Sequence, residues 1–171
     1  MWKYEKRLQF PVNIKKPDAK LAQVIISQFG GPDGELAASQ RYISQRYTMP
    51  YREVAGVLTD IATEELGHME MVSSIVYQLT KNLSMDEIAN SGFANYYVDH
   101  TTALWPQAAG GIPFNACEFQ SKGDVITDLM EDMAADATLL YILLKIPMYN
   151  YRRHIVSMNF MFQFPNLNII N

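Results

Sequence analysis

One helix constrains everything else in this chain. Its apolar positions recur as Val54, Leu58, Ile61, Glu65, His68, Val72, Ile75 and Leu79, with spacings that alternate between four and three. That period describes an amphipathic α-helix whose stripe meets a core. Glu65 and His68 fall inside the stripe, one turn apart and on the same face. Burying a carboxylate and an imidazole is costly unless they are paired or hold a metal. The stretch Thr63-Glu64-Glu65-Leu66-Gly67-His68-Met69-Glu70 therefore reads as a metal site, a buried polar pair or a partly exposed helix. Taken alone, it leaves the three readings open.

The chain around it is long enough, at 171 residues, for one domain with a substantial core. A hydrophobic content of 49% excludes a disordered chain, and a formal charge of -4 gives no reason to expect a nucleic-acid partner. The single cysteine, Cys117, excludes an internal disulfide. No apolar stretch follows the basic N-terminus as in a secretory signal. The most apolar run, Leu139 to Ile146, is broken by Lys145 and stopped by Pro147, too short to span a bilayer. The expectation is an intracellular, reducing compartment and no membrane partner.

Taken in order, residues 1–16 read as an extended arm that packs on its own domain or on a neighbouring subunit. A short helix follows from Pro17 to Phe29, with Leu21, Val24, Ile25 and Gln28 on one side, and Gly30-Gly31 ends it. Pro32 suits the first turn of a second helix, in which Asp33 and Glu35 place negative charge at its positive end. That helix runs through Leu36, Gln40, Ile43 and Tyr47 to about Thr48. After Met49-Pro50 the organising helix spans Tyr51 to Lys81. So short a connection makes the two helices antiparallel neighbours, which brings Glu35 towards Glu65 and His68. Taken alone, Glu35 reads first as a plain first-turn acid, the commoner case.

Ser84-Met85-Asp86-Glu87 is a capping box that opens a short helix to about Asn90. Residues 91–124 form a long crossing connection, of the kind that is often functional or an oligomer contact. Its Asp99-His100 pair reads as a surface pair before a catalytic couple. A third long helix begins near Asp124, with Val125, Leu129, Met133, Asp136, Leu140 and Leu143 on one stripe. Asp136 is either a site residue on that stripe or a surface aspartate just off it.

Gly34-Glu35-Leu36-Ala37-Ala38, Thr63 to Glu70 as above, and Asp128-Leu129-Met130-Glu131-Asp132-Met133-Ala134-Ala135 occur in this order. Together they strongly resemble the manganese catalase family over residues 1–136. The start, Met1-Trp2-Lys3-Tyr4-Glu5-Lys6-Arg7-Leu8-Gln9-Phe10-Pro11, is similar to the spore-coat members of that family. The resemblance implies an all-α, ferritin-like antiparallel helical bundle holding two manganese ions and disproportionating hydrogen peroxide to water and dioxygen. It implies that Glu35 bridges the metals, that Glu65 and His68 ligate one of them, and that Asp136, standing one methylene shorter where the family has a glutamate, is a further metal ligand. Glu35, Glu65 and His68 would then carry the catalysis. A homo-oligomer, other spore-coat proteins as partners and a place in the spore coat are further implications. The Gly34–Ala38 and N-terminal matches count against a ferritin-like diiron oxidase or metal store.

The resemblance ends where the composition changes. All 18 acidic residues lie at or before Asp136. The first 136 residues carry 11 basic side chains against 18 acidic, a formal -7, and the last 35 carry only Lys145, Arg152 and Arg153, a formal +3. The family's fourth helix supplies its last histidine within a Glu-x-x-His pattern. Residues 137–171 hold no glutamate, and His154 follows Tyr151 by three positions. The missing ligand is therefore not assigned to His154. Residues 1–136 read as the bundle, and 137–171 as a divergent tail or a shifted reading frame with the fourth helix missing or degenerate. The competing function is a structural coat or assembly protein with an impaired or empty site.

Overall fold

The computed structural model describes residues 3, 5–8, 10–91, 112–118 and 120–145, with side chains to 136. Its helices are α1 (Ala19–Ile25), α2 (Ser27–Gly30), α3 (Glu35–Gln45), α4 (Arg52–Thr80), α5 (Met85–Asn90) and α6 (Val125–Lys145). The expectations for Asp99, His100 and the fourth helix fall outside the described residues. Among the described residues no helix is long and apolar enough to cross a membrane.

α4 organises the fold as its periodicity predicts. Leu58, Glu65, His68, Val72, Ile75 and Leu79 are all buried. They divide into two apolar clusters with the ionisable pair between them. Before the pair, Leu58 and Ala62 pack with Ala38 and Tyr42 of α3. After it, Val72, Ile75, Val76 and Leu79 pack with Ala22, Ile25 and Ile26. Tyr42 thus meets the start of α4, and Ser39 Oγ donates to the Ala62 carbonyl at 2.8 Å further along. Partners advancing along α3 retreat along α4, which is the antiparallel hairpin that the short connection requires. Small residues let the two backbones approach: Ala38 and Ala62 are buried at their contact.

The end of the arm, at Val12 and Ile14, packs on its own chain. The Ile14 amide donates to Gln78 Oε1 at 2.8 Å, and Gln78 Nε2 donates to the Val12 carbonyl at 2.9 Å. The Asp18 side chain caps α1 by accepting from the Leu21 amide, while its own amide donates to the Leu79 carbonyl. The Ser84–Glu87 capping box forms as read.

Two predicted faces differ from those observed. The first short helix is two pieces joined at Ile26, and it buries Ala22, Ile25 and Ile26 while Val24 is exposed. Small Ala22 lets that face sit close against α4. Among the described side chains of α6, which end at Asp136, the buried residues are Asp128, Asp132 and Ala135, and Met133 is 60% exposed. The apolar residues Ile126, Met130 and Met133 point outward there. Hydropathy misplaces the face because carboxylates hydrogen-bonded to neighbouring backbone and glutamine occupy the inner side. Asp128, for one, accepts from the Lys122 and Gly123 amides at 2.7 and 3.0 Å.

Gly56 is a position where α4 can be stabilised. It sits inside the helix, and a Cβ there would meet nothing within 4 Å. Gly56→Ala is expected to stabilise the protein by about 0.5–1 kcal/mol, because it removes backbone freedom from the unfolded chain at no steric cost. Urea unfolding measures this directly.

Candidate metal centre

Glu35 owes its position to a glycine. Gly34 precedes α3 in extended backbone, and a Cβ there would lie 2.9 Å from the carbonyl oxygens of both Ser27 and Gln28. Those atoms are helix backbone and cannot step aside. Only glycine lets the chain leave α2 this tightly and begin α3 at Glu35.

Across the hairpin, Glu35, Glu65 and His68 converge. Each contributes one ligand-capable atom to a group whose atoms all lie within 4.8 Å of one another. The three residues are only 1–3% exposed. Glu65 Oε2 lies 2.7 Å from His68 Nδ1, and Glu35 Oε2 lies 3.9 Å from the same nitrogen. The i, i+3 spacing read from the sequence thus becomes a direct contact, and the antiparallel hairpin supplies the third group.

The electrostatics are compatible with a bound cation. Burial raises the Glu35 carboxyl well above its usual range, and the adjacent Glu65 charge and a hydrogen bond to Glu65 raise it further. Two carboxyl groups this close in an apolar setting cannot both ionise without compensation. Glu35 Oε2 is buried without a hydrogen-bond partner. A divalent metal would replace both the proton and the missing contact, and two carboxylates with one imidazole suit a hard ion such as manganese. The donor set fits the metal.

Asp136 lies outside this group of three. Its Oδ1 accepts from the Tyr42 hydroxyl at 3.1 Å, and its charge reaches Glu35 through space. The shorter aspartate side chain meets the tyrosine of α3. Burial, and secondarily the Asp136 charge, push the Tyr42 hydroxyl far above its ordinary pKa, so it stays a proton donor.

Glu64 and Glu70, which flank the converging residues in sequence, line a surface pocket of about 720 Å³ beneath the arm, shared with Lys3 and Arg7. Burial raises the Glu64 carboxyl, against the opposing effect of His68.

Sequence reasoning missed Tyr42, Arg41, Gln45 and Asp132, all of them buried or nearly so. Ala38, Tyr42 and Gln45 carry the same four-and-three spacing as α4. With Arg41 and Gln45 as polar members, the pattern did not read as a buried face.

The manganese-containing catalase family model matches residues 1–141. Protein CotJC of Bacillus subtilis is 49% identical over 136 residues, covering 80% of this chain and 71% of that protein. A probable manganese catalase of Clostridium acetobutylicum is 28% identical over 138 residues, covering 80% of this chain and 61% of that one. In the crystal structure of wild-type KatB, a manganese catalase from Anabaena, the match has a TM-score of 0.79 at 26% identity. It covers 93% of this chain and 73% of KatB. The helical fold, the Glu35–Glu65–His68 group and the match over most of its length place this chain in the manganese-containing catalase family.

Proposed function

We propose that the chain is a manganese catalase-like protein whose site is built for disproportionation of hydrogen peroxide to water and dioxygen. The observation that carries this reading is the convergence of Glu35, Glu65 and His68 in a buried layer between two apolar clusters. Glu35, Glu65 and His68 would hold manganese, and Asp136 would serve behind them through Tyr42. Bound manganese would supply the redox capacity that turns two peroxide molecules into water and dioxygen. The chain's own residues do the rest. Glu65 orients the His68 ring through its 2.7 Å contact, and burial excludes bulk water from the carboxylates. Tyr42 keeps its proton and holds the Asp136 carboxylate in place.

The described residues supply one cluster of ligands. Residues 137–171 contain no glutamate to continue it, and the family's Glu-x-x-His pattern is not written there. We therefore expect purified protein to hold clearly fewer than two manganese per chain and to evolve oxygen from peroxide slowly. Metal analysis together with an oxygen electrode tests this. Near-stoichiometric loading with two ions and rapid oxygen release would overturn it.

The likeness to CotJC, and the coat-type N-terminus, favour a second reading. Here the same fold serves as a structural component of the spore coat, assembled as a homo-oligomer or with other coat proteins, and the site is impaired or empty. Undetectable manganese in protein purified with the metal supplied throughout would select this reading.

A further inference from the structure

α6 carries Asp136 towards the Glu35–Glu65–His68 group, and up to Asp136 its attachment to α3 combines the packing of Leu129 with polar contacts. Gln45 Nε2 donates to Asp132 Oδ1 at 2.9 Å and to the Gln120 carbonyl at 3.2 Å. Beside these bonds stand buried polar atoms without a hydrogen-bond partner in the protein: Nε and Nη1 of Arg41, Oε1 of Gln45 and Oδ2 of Asp132. None of these residues belongs to the Glu35–Glu65–His68 group.

Their arrangement is complementary. Arg41 is 1% exposed and uses only Nη2, which donates to Asp33 Oδ1 at 3.0 Å and to the Pro32 carbonyl at 3.3 Å. Its remaining N–H groups are donors, and the two other orphaned atoms are acceptors. Arg41 and Gln45 lie one turn apart on α3, on the same face. Asp132 is bonded to Gln45 and feels the Arg41 charge, yet neither of its oxygens bonds directly to the guanidinium. Buried polar groups of this kind are ordinarily satisfied, and those that miss one another directly are commonly joined by an ordered water with two to four partners. A bound anion would meet the Asp132 carboxylate, and a bound cation would meet Arg41. Water alone accepts from one side and donates to the other.

We infer that Arg41, Gln45 and Asp132 bind an ordered water that bridges α3 to α6. Through this bridge they act as positioning residues for Tyr42 and Asp136, the next residue on α3 and the next turn of α6. The inference rests on the fold and these contacts, and it stands whether or not manganese binds.

A crystal structure of the full chain, at a resolution that shows ordered waters, tests it first. The expected result is one water bonded to Arg41 Nε or Nη1 and to Asp132 Oδ2. A direct Arg41–Asp132 ion pair without water, or a halide or metal identified there by anomalous scattering, would overturn it. The positioning role is tested in the structure of Arg41→Met. The bridge predicts that Tyr42 Oη and Asp136 Oδ1 separate beyond hydrogen-bond distance, whereas a merely structural arginine leaves them near 3.1 Å. If that variant does not fold, Arg41→Lys, Asp132→Asn and their double variant supply a thermal-unfolding cycle. The bridge predicts that the double variant loses clearly less in Tm than the two single losses combined, and strict additivity would refute it.

Discussion

Glu35→Gln is expected to weaken manganese binding by more than about 100-fold while leaving the metal-free protein as stable or more so. Loss of a partner that merely orients a ligand already costs about 10–100-fold in metal affinity, and Glu35 is proposed as a ligand itself. Glutamine keeps the shape of the side chain and cannot carry charge beside Glu65. In the metal-free protein burial and the neighbouring Glu65 hold the Glu35 proton, so the folded state binds it more tightly than the unfolded chain does. Stability with respect to this group is therefore full below the ordinary glutamate range and falls as pH rises towards the raised value. Asp132, pushed up to about 6 by burial, adds a parallel loss between about pH 4 and about pH 6. At neutral pH the glutamine variant should thus melt about 2–4 °C higher than the parent in a chelating buffer, the shift that ~1 kcal/mol produces at this chain length. The same proton must leave before a metal can bind. Manganese affinity of the parent should rise with pH, by up to about tenfold per unit while Glu35 remains protonated, and the glutamine variant should lose much of that dependence. Calorimetric titration across pH, with melting curves in chelator, measures both.

The second large effect lies at the hairpin contact. Ala62→Leu should cost about 3 kcal/mol, the upper end for inserting a side chain into a filled core. Ala62 has no exposed surface, and its carbonyl accepts from Ser39 Oγ at 2.8 Å, so α3 and α4 have no slack there. Pushing the helices apart would also draw Glu35 away from Glu65 and His68. The expected phenotype is a folded but destabilised helical protein that has lost manganese affinity. Urea unfolding gives the first number and metal titration the second. A variant with parental affinity would show that the hairpin spacing does not set the site.

How much of this could be read from residues alone depended on whether the buried face was apolar. α4 was legible almost in full, because Leu58, Val72, Ile75 and Leu79 announce the face and Glu65 and His68 break it at the right register. The short Met49-Pro50 connection made the antiparallel hairpin legible; it left room for Glu35 near Glu65 and His68, and a plain first-turn acid fitted the residues as well until the fold brought the three together. α6 was misjudged at Met133, because Asp128 and Asp132 occupy positions that hydropathy assigns to solvent. Each gains hydrogen bonds that only the folded neighbours reveal: the Lys122 and Gly123 amides for one, Gln45 for the other. Tyr42 escaped notice for a related reason. An aromatic at helical spacing looks like core, and its role comes from an aspartate 94 positions away. Asp136 was placed near the site by the resemblance, and the structure sets it against the tyrosine rather than within the group of three.

The most direct test of the central claim is a crystal of the full chain grown with manganese and measured at the manganese absorption edge. A single strong anomalous peak per chain is expected, within coordination distance of Glu35, Glu65 and His68. Two peaks of equal height there would mean that the chain completes a dimetal site by itself. A peak elsewhere, or none in protein shown by metal analysis to hold manganese, would contradict the assignment of these three residues.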